Sequence, residues 1–216
     1  MKLAPTLAIA LLVCTSTALA ECTCKTAKLE NGWCKGCKAG HIAGLMIQSN
    51  KLWSAVAASP NEGENFKCQT CKKCADAGSG YCETCNVGYI GKQHYHSKAG
   101  YFLARGEPID PAKLKCEDCQ KNLGGTVWCE NCKAGVVGYA HFKDKAQYDA
   151  AVQARANVSI AAATKCESCQ LAILNDGSCN KCKRVYKDGN AAELKAETPK
   201  DAKAGEKPAP KEPAKP

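Results

Sequence analysis

Paired cysteines are the residues of this chain best suited to chemistry. Residues 115–133 read KCEDCQKNLGGTVWCENCK and residues 165–183 read KCESCQLAILNDGSCNKCK, so two C-x-x-C pairs flank a turn-rich segment in each. A C-x-x-C turn directs two sulfur atoms at one point, and zinc takes four thiolate or imidazole ligands in a tetrahedron. Two such pairs at this spacing therefore predict a metal site.

The cysteine pairs repeat along the chain. The second cysteine of each opening pair falls at Cys24, Cys71, Cys119 and Cys169, a period near 50 residues. Such a period is typical of an array of supersecondary units. We place the repeats at residues 21–66, 67–114, 115–164 and, truncated, 165–190. In this register the first copy opens with C-x-C instead of C-x-x-C, and Cys74 is left over.

The double C-x-x-C pattern resembles the zinc-ribbon family over about 17 residues in each copy. The resemblance implies a β-hairpin between the two pairs, with its turn at residues 175–177 or at 124–125, and about four zinc ions per chain. Such ribbons usually carry glycine after a knuckle, whereas Lys, Gln or Asn stands there in this chain. The implied metal ligands are Cys22, Cys24, Cys34 and Cys37; Cys68, Cys71, Cys82 and Cys85; Cys116, Cys119, Cys129 and Cys132; and Cys166, Cys169, Cys179 and Cys182.

A strand and a helix are predicted after the closing pair in the first three copies. Gly40, Gly88 and Gly135 align there, and a short apolar stretch follows each glycine. A residue that is a good helix N-cap follows each stretch, namely Ser49, Ser97 and Asp144. We therefore expect helices over residues 50–58, 98–105 and 145–164. The third helix has only a weak apolar stripe. The predicted fold class is α+β: a tandem array of four small cysteine-knuckle hairpins joined by short strand–helix connectors, each with a very small core of its own.

The two ends of the chain differ in composition from the repeats. Residues 1–20 combine Lys2, an apolar run over 7–13 and an A-x-A site at 18–20, which predicts a cleaved signal peptide and an exported protein, periplasmic or extracellular. Residues 191–216 are rich in Lys, Pro and Ala and are expected to form a disordered tail. No later stretch approaches about 20 apolar residues, so we expect no membrane span after signal removal.

Charge argues against a nucleic-acid partner. The full chain carries a formal charge of +9, and removing Lys2 leaves +8. Each four-thiolate zinc centre carries a net charge of about −2, so about four filled sites would make the protein nearly neutral. We find no nucleophile with a spaced base, no phosphate loop and no carboxylate pair, so we expect neither an enzyme nor a small-molecule substrate.

Two other states of the cysteines remain open. Disulfides are the default for exported cysteines, although the grouping into pairs of pairs favours metal. Redox-active C-x-x-C pairs normally begin a helix in a βαβ pattern, which this sequence does not predict. The predicted function is binding or scaffolding of a protein or cell-envelope partner around structural zinc sites. The alternatives are metal sequestration and buffering in the envelope, and a disulfide-rich or thiol-redox secreted protein.

A few residues outside the cysteine quartets could also be functional. His94 and His96 lie on a predicted strand, where a soft-metal role competes with an ordinary strand position. Trp33, Tyr81 and Trp128 directly precede the closing pairs and are predicted to cover the metal as a lid.

Overall fold

The computed structural model describes residues 24–61 and 66–194. The predicted signal peptide, Cys22 and most of the predicted tail lie outside these residues. No helix in the described ranges is both long and apolar enough to cross a membrane.

The repeats share one order of elements: a short helix, a three-stranded sheet and, in the first three, a second helix. The first contains α1 (Lys25–Leu29), β1 (Trp33–Cys34), β2 (Ala39–Ile42), β3 (Leu45–Ile47), α2 (Asn50–Val56) and the linker strand β4 (Ala58–Pro60). The second contains α3 (Gln69–Asp76), β5 (Ser79–Cys82), β6 (Val87–Ile90), β7 (Gln93–Tyr95), α4 (Lys98–Ala104) and the linker strand β8 (Glu107–Pro108). The third contains α5 (Glu117–Lys121), β9 (Thr126–Cys129), β10 (Ala134–Val137), β11 (Ala140–Phe142) and α6 (Lys145–Ala163). The fourth contains α7 (Glu167–Leu174), β12 (Ser178–Cys179), β13 (Arg184–Lys187) and β14 (Asn190–Glu193).

The linker strands join consecutive repeats. β4 leaves the first repeat and pairs with β7, which gives the second repeat a sheet of order β4-β7-β6-β5. β8 likewise pairs with β11, which gives the order β8-β11-β10-β9. Every strand pair in the described ranges is antiparallel, and the first and second repeats thus each add a strand to the edge of the next sheet.

The β-hairpin of each repeat lies at a different place from the one that the sequence predicted. We expected it between the two cysteine pairs, but the residues after the opening pair form a helix, and the closing pair lies in the turn of the hairpin. The third repeat shows the reason, because Glu117 and Asp118 stand in the first turn of α5, where carboxylates stabilise a helix N-terminus. The prediction of a hairpin between the pairs was therefore wrong.

The predicted N-caps of the second helices are confirmed. The side-chain oxygens of Ser49, Ser97 and Asp144 each accept a hydrogen bond from the backbone N–H three residues later. All three helices end within two residues of their expected positions.

A contact between an aromatic ring and a glycine holds each of these helices against its sheet. An ideal Cβ on Gly40, Gly88 or Gly135 would lie 2.1, 2.5 or 2.0 Å from the nearest ring atom. The rings belong to the fourth residue of each helix and are Trp53, Tyr101 and Tyr148. The glycine is therefore required by the close approach of the ring.

The aromatic residue before the closing pair completes this contact. The rings of Trp33, Tyr81 and Trp128 lie 5.6, 5.5 and 5.5 Å, centroid to centroid, from the helix rings. In the fourth repeat Ser178 and Val185 replace the aromatic residue and the glycine, and its described part ends after the sheet. The aromatic pair and the glycine thus occur in the three repeats in which a second helix is described.

One apolar cluster includes residues of all four repeats, which differs from the separate small cores we expected. Its members include Leu52 in α2, Leu103 in α4, Phe142 in β11 and Ile173 in α7. Half of the residues on the buried face of α6 are alanines; the buried residues are Tyr148, Ala151, Ala154, Asn157, Val158 and Ala161. This face packs against α4 and α7, so alanines form the stripe that appeared weak in the sequence.

Polar contacts also join repeats that are not consecutive. The Arg155 guanidinium in α6 donates through Nε to the Ala43 carbonyl at 2.8 Å and through Nη2 to the Gly124 carbonyl at 3.0 Å. Asn175 Oδ1, after α7, accepts from the Lys98 backbone N–H at 2.9 Å. The four repeats are therefore packed against one another.

The ring–glycine contact can be tested by adding one methyl group. We expect Gly135→Ala to lower the free energy of unfolding by about 1–3 kcal/mol, because the new Cβ collides with the Tyr148 ring and overpacks the interface. Thermal and denaturant unfolding of the metal-loaded protein would measure this. Gly177→Ala is the matched control, since an added Cβ would meet its nearest described atoms at 3.8 Å. Equal stability of the two variants would contradict the contact.

Candidate metal centres

The structure brings together three of the four predicted cysteine quartets. In each quartet the four sulfur atoms lie within 4.8 Å of one another. The quartets are Cys68, Cys71, Cys82 and Cys85; Cys116, Cys119, Cys129 and Cys132; and Cys166, Cys169, Cys179 and Cys182. None of the cysteines in the described ranges forms a disulfide.

The distances between sulfur atoms fit a tetrahedral metal ion. The first and third cysteines of the three quartets have Sγ···Sγ distances of 3.7, 3.7 and 3.9 Å, and Cys119 and Cys132 are 4.0 Å apart. Four sulfurs at about 2.3 Å from a zinc ion would be about 3.8 Å apart along each tetrahedral edge. The donor set thus fits zinc or another thiophilic metal in both ligand type and spacing.

Each cysteine is positioned by a different part of its repeat, as the third repeat shows. Cys116 is the N-cap of α5, and Cys119 lies within the first turn of that helix and is buried. Cys129 ends strand β9 and is buried, and Cys132 lies exposed in the turn that leads into β10. A helix start and a hairpin turn therefore face each other and contribute two sulfurs each.

The residue after the last cysteine of each repeat adopts a left-handed backbone conformation. Lys38, Asn86, Lys133 and Lys183 have φ of 51°, 54°, 51° and 52°. Glycine adopts this conformation without steric cost, which explains why zinc ribbons favour glycine there. In this chain Lys or Asn adopts the left-handed conformation, at a steric cost that glycine would not have.

Electrostatics within a quartet favour one thiolate but not four. The backbone N–H of Cys71 donates to the Cys68 sulfur and lowers the pKa of Cys68 to about 6. Burial raises the pKa of Cys71 to about 12. In the third repeat the adjacent Cys116 sulfur raises the pKa of Cys132 to about 11. A divalent cation would supply the positive charge that four deprotonated sulfurs require.

A residue that sequence reasoning missed lies behind the sulfurs in two repeats. The hydroxyl of Tyr89 hydrogen-bonds the buried Cys71 sulfur, and the hydroxyl of Tyr186 does the same to Cys169. Each tyrosine is the fourth residue after the last cysteine of its repeat. The shared spacing in the sequence could have identified this position.

The first repeat contains three candidate ligands among the described residues and keeps the predicted register. Cys24, Cys34 and Cys37 have sulfurs within 4.8 Å of one another, whereas Cys22 lies outside the described residues. Cys24 is the N-cap of α1, and its sulfur lies 2.9 Å from that of Cys34. The Gly32 N–H donates to the Ala27 carbonyl as the Gly177 N–H does to the Ala172 carbonyl, and Asn31 and Asp176 accept equivalent backbone hydrogen bonds. Cys24 therefore corresponds to Cys169, the second cysteine of its pair, as the sequence predicted.

The aromatic rings that were predicted to cover the metal make their contacts with the second helix instead. Trp33 directly precedes Cys34 in β1, and successive side chains of a strand point to opposite faces of the sheet. The ring therefore lies on the face opposite the sulfur and contacts the second helix, as do Tyr81 and Trp128 in the next two repeats.

The remaining candidates lie outside the quartets. The Cys74 thiol is half-buried in α3, and an ideal Cβ on Gly80 would lie 2.7 Å from its sulfur. His94 and His96 approach each other with their Nε2 atoms 2.9 Å apart at β7. Their predicted soft-metal role stays a prediction.

Comparisons with protein-family models, with curated proteins and with solved structures give no match for this chain. The cysteine clusters suggest zinc-ribbon-like metal sites, and this assignment depends on the donor residues and their geometry.

The left-handed turn residue gives a test of the knuckle geometry. We expect Lys133→Val to lower the free energy of unfolding of the metal-loaded protein by about 1–2 kcal/mol, because a β-branched residue is strained at positive φ. Lys133→Gly should be at least as stable as the unmodified protein, since glycine relieves that strain. The control is Lys115→Val, because Lys115 is also exposed and also lies next to a candidate ligand cysteine. It should lower the free energy of unfolding by less than Lys133→Val does. A reversed order of the two Lys133 variants in thermal unfolding would contradict the assignment.

Proposed function

We propose that this protein is an exported binding or scaffolding protein whose repeats are held in their folded form by structural zinc ions, about four per chain. The observation that carries this proposal is the same four-sulfur cluster in three successive repeats, built each time from a helix start and a hairpin turn. Such repetition supports a common structural role for the sites.

The donor set supports a structural role over a catalytic one. Catalytic zinc keeps one coordination position open for water or substrate, whereas four cysteines close the coordination sphere. A separate small cluster around the cysteines of the second repeat supports the same role. Its buried members are Cys71, Cys82 and Tyr89. With so few apolar side chains around the sulfurs, a metal ion would contribute much of the local folding free energy.

The site of action and the partner belong to the proposal as well. The signal-like sequence at residues 1–20 supports export to the periplasm or the extracellular space. A partner would be a protein or a component of the cell envelope. Nucleic acid is disfavoured because the charge of the metal-loaded form would be close to zero.

Metal buffering is a second candidate, and one observation favours it. The last cysteine of every repeat is exposed, namely Cys37, Cys85, Cys132 and Cys182. An external thiol could attack the metal from that side and exchange it without prior unfolding.

Thiol-redox activity is the third candidate. The opening pair begins a helix, since Cys68 is the N-cap of α3, but the described strands around it pair antiparallel and form no βαβ unit. A redox pair needs two sulfurs, however, and the convergence of four supports metal binding.

Native mass spectrometry combined with thiol titration tests the proposal. We expect about four metal ions per chain and thiols that become reactive only after the metal is removed. Cys119→Ser should lose one ion, because Cys119 is a buried ligand, and Cys74→Ser should keep the full number, because Cys74 lies outside the quartet. Metal-free protein with its cysteines in disulfides would contradict the proposal.

Removal of the metal separates scaffolding from buffering. If the sites are structural, chelation should abolish the chemical-shift dispersion of the sheets in an NMR spectrum, and re-addition of zinc should restore it. Exchange of bound zinc for isotopically labelled zinc should then be slow relative to unfolding. Rapid exchange with the spectrum unchanged would instead favour buffering.

A further inference from the structure

The outer edge of the first sheet lacks the strand that covers the same edge in the next two sheets. β4 covers the outer edge of β7, and β8 covers that of β11. β3 holds the equivalent position in the first repeat, because its last residue opposes the glycine that contacts the helix ring, as the last residues of β7 and β11 do. No strand in the described ranges pairs with the outer edge of β3.

The backbone groups at the centre of this edge point away from β2. Ala43 and Gly44 form the two-residue turn between β2 and β3, with φ of 48° and 78°. In such a hairpin the pair that flanks the turn, Ile42 and Leu45, exchanges hydrogen bonds, and the next pair does not. The N–H and C=O of Met46 belong to that next pair and are therefore directed outward.

Exposure agrees with an open edge. Met46 is 37 % exposed, whereas His94, which holds the same position in β7 and is paired with Ser59 of β4, is 7 % exposed. Gly44 at the start of the edge is also exposed. Outward N–H and C=O groups on an exposed strand are a template for a further strand.

The two covered edges show which kind of segment fits this position. In both linker strands a proline opposes the first residue of the outer strand, namely Pro60 opposite Gln93 and Pro108 opposite Ala140. The residue after the proline donates its N–H to the carbonyl of the last turn residue, and these pairs are Asn61 with Lys92 and Ile109 with Tyr139. Successive N–H groups of a strand point in opposite directions, so the proline nitrogen faces away from the sheet, where no donor is needed. An extended segment with a proline therefore fits the edge.

The tail contains the same dipeptide as β8. The chain contains Glu-Pro twice, at 107–108 in β8 and at 212–213 in the tail. Addition of a strand to a sheet edge gains its affinity from main-chain hydrogen bonds. A Lys- and Pro-rich segment can therefore dock in this way without a large apolar surface of its own.

The tail is also long enough to reach the first repeat. Residues 195–211 lie between Leu194, the last described residue, and the second Glu-Pro dipeptide. Their extended length is up to about 60 Å. The fourth repeat adjoins the first, because α7 packs against α2.

From this arrangement we propose that the outer edge of β3 is a strand-docking site and that residues 211–214 of the same chain, Lys-Glu-Pro-Ala, occupy it. The segment runs antiparallel to β3 in the register of β8, with Glu212 opposite Met46, Pro213 opposite Leu45, and the Ala214 N–H donating to the Gly44 carbonyl. This inference goes beyond the proposed function and does not depend on metal in the cysteine clusters.

The fourth sheet has an equivalent outer edge, but it offers less to a docked strand. Asn190 and Ala191 of β14 stand where β3 has Leu45 and Met46. A strand that docks on β3 buries more apolar side-chain surface, which favours β3 over β14.

Amide hydrogen exchange of the purified protein, followed by NMR, tests the docking. We expect Ala214→Pro to speed exchange of the Met46 amide about tenfold, because proline lacks the anchoring N–H and the Met46 amide loses about one hydrogen bond. Ala202→Pro is the matched control, since it places the same substitution in the tail outside the docked segment, and it should leave Met46 unchanged. The His94 amide, on the edge covered by β4, should exchange equally in all three proteins.

Three results would overturn the proposal. The first is equal exchange of the Met46 amide in both variants and the unmodified protein, which would show that the tail does not cover β3. The second is a response at Ala191 instead of Met46, which would place the tail on β14. The third is protection of Met46 that falls on dilution, which would assign the strand to a second copy. None of these results would alter the metal content on which the proposed function is tested.

Discussion

Convergence of cysteine sulfurs within 4.8 Å, four in each of the last three repeats and three described ones in the first, is the constraint on which the fold depends. Two of the four sulfurs are buried in each complete quartet, and burial raises the pKa of a thiol such as Cys71. Four thiolates this close repel one another and become stable together only around a cation. The helix start, the strand end and the left-handed turn residue all serve to bring these sulfurs together.

The rest of the fold is organised outward from these clusters. On the opposite face of each of the first three sheets, a glycine leaves room for an aromatic ring that binds the second helix to the sheet. Those helices and α7 then pack into an apolar cluster that includes all four repeats. The small side chains of α6 permit this close packing. The four repeats therefore share one apolar cluster instead of each having a separate core.

Local features were predictable from the sequence and tertiary ones were not. The three N-caps were predicted correctly because a cap needs one side chain and the next turn of helix. The grouping of the cysteines in the last three quartets was predictable because ligand spacing is a local property. The hairpin was misplaced because the family resemblance reflects only the spacing of the ligands. It does not indicate that the segment after the opening pair prefers to form a helix. The register of Cys24 was predicted correctly, since the turn after α1 makes the same hydrogen bonds as the turn after α7. The stripe on α6 was underestimated because its members are alanines, whose burial depends on neighbours from other repeats.

X-ray absorption at the zinc edge of the purified protein tests the central claim most directly, because it reports the atoms bound to the metal. The account predicts a first shell of sulfur at about 2.3 Å, with about four ligands per ion. A first shell of oxygen and nitrogen with few sulfurs would contradict it, since the cysteine clusters would then not be the metal sites.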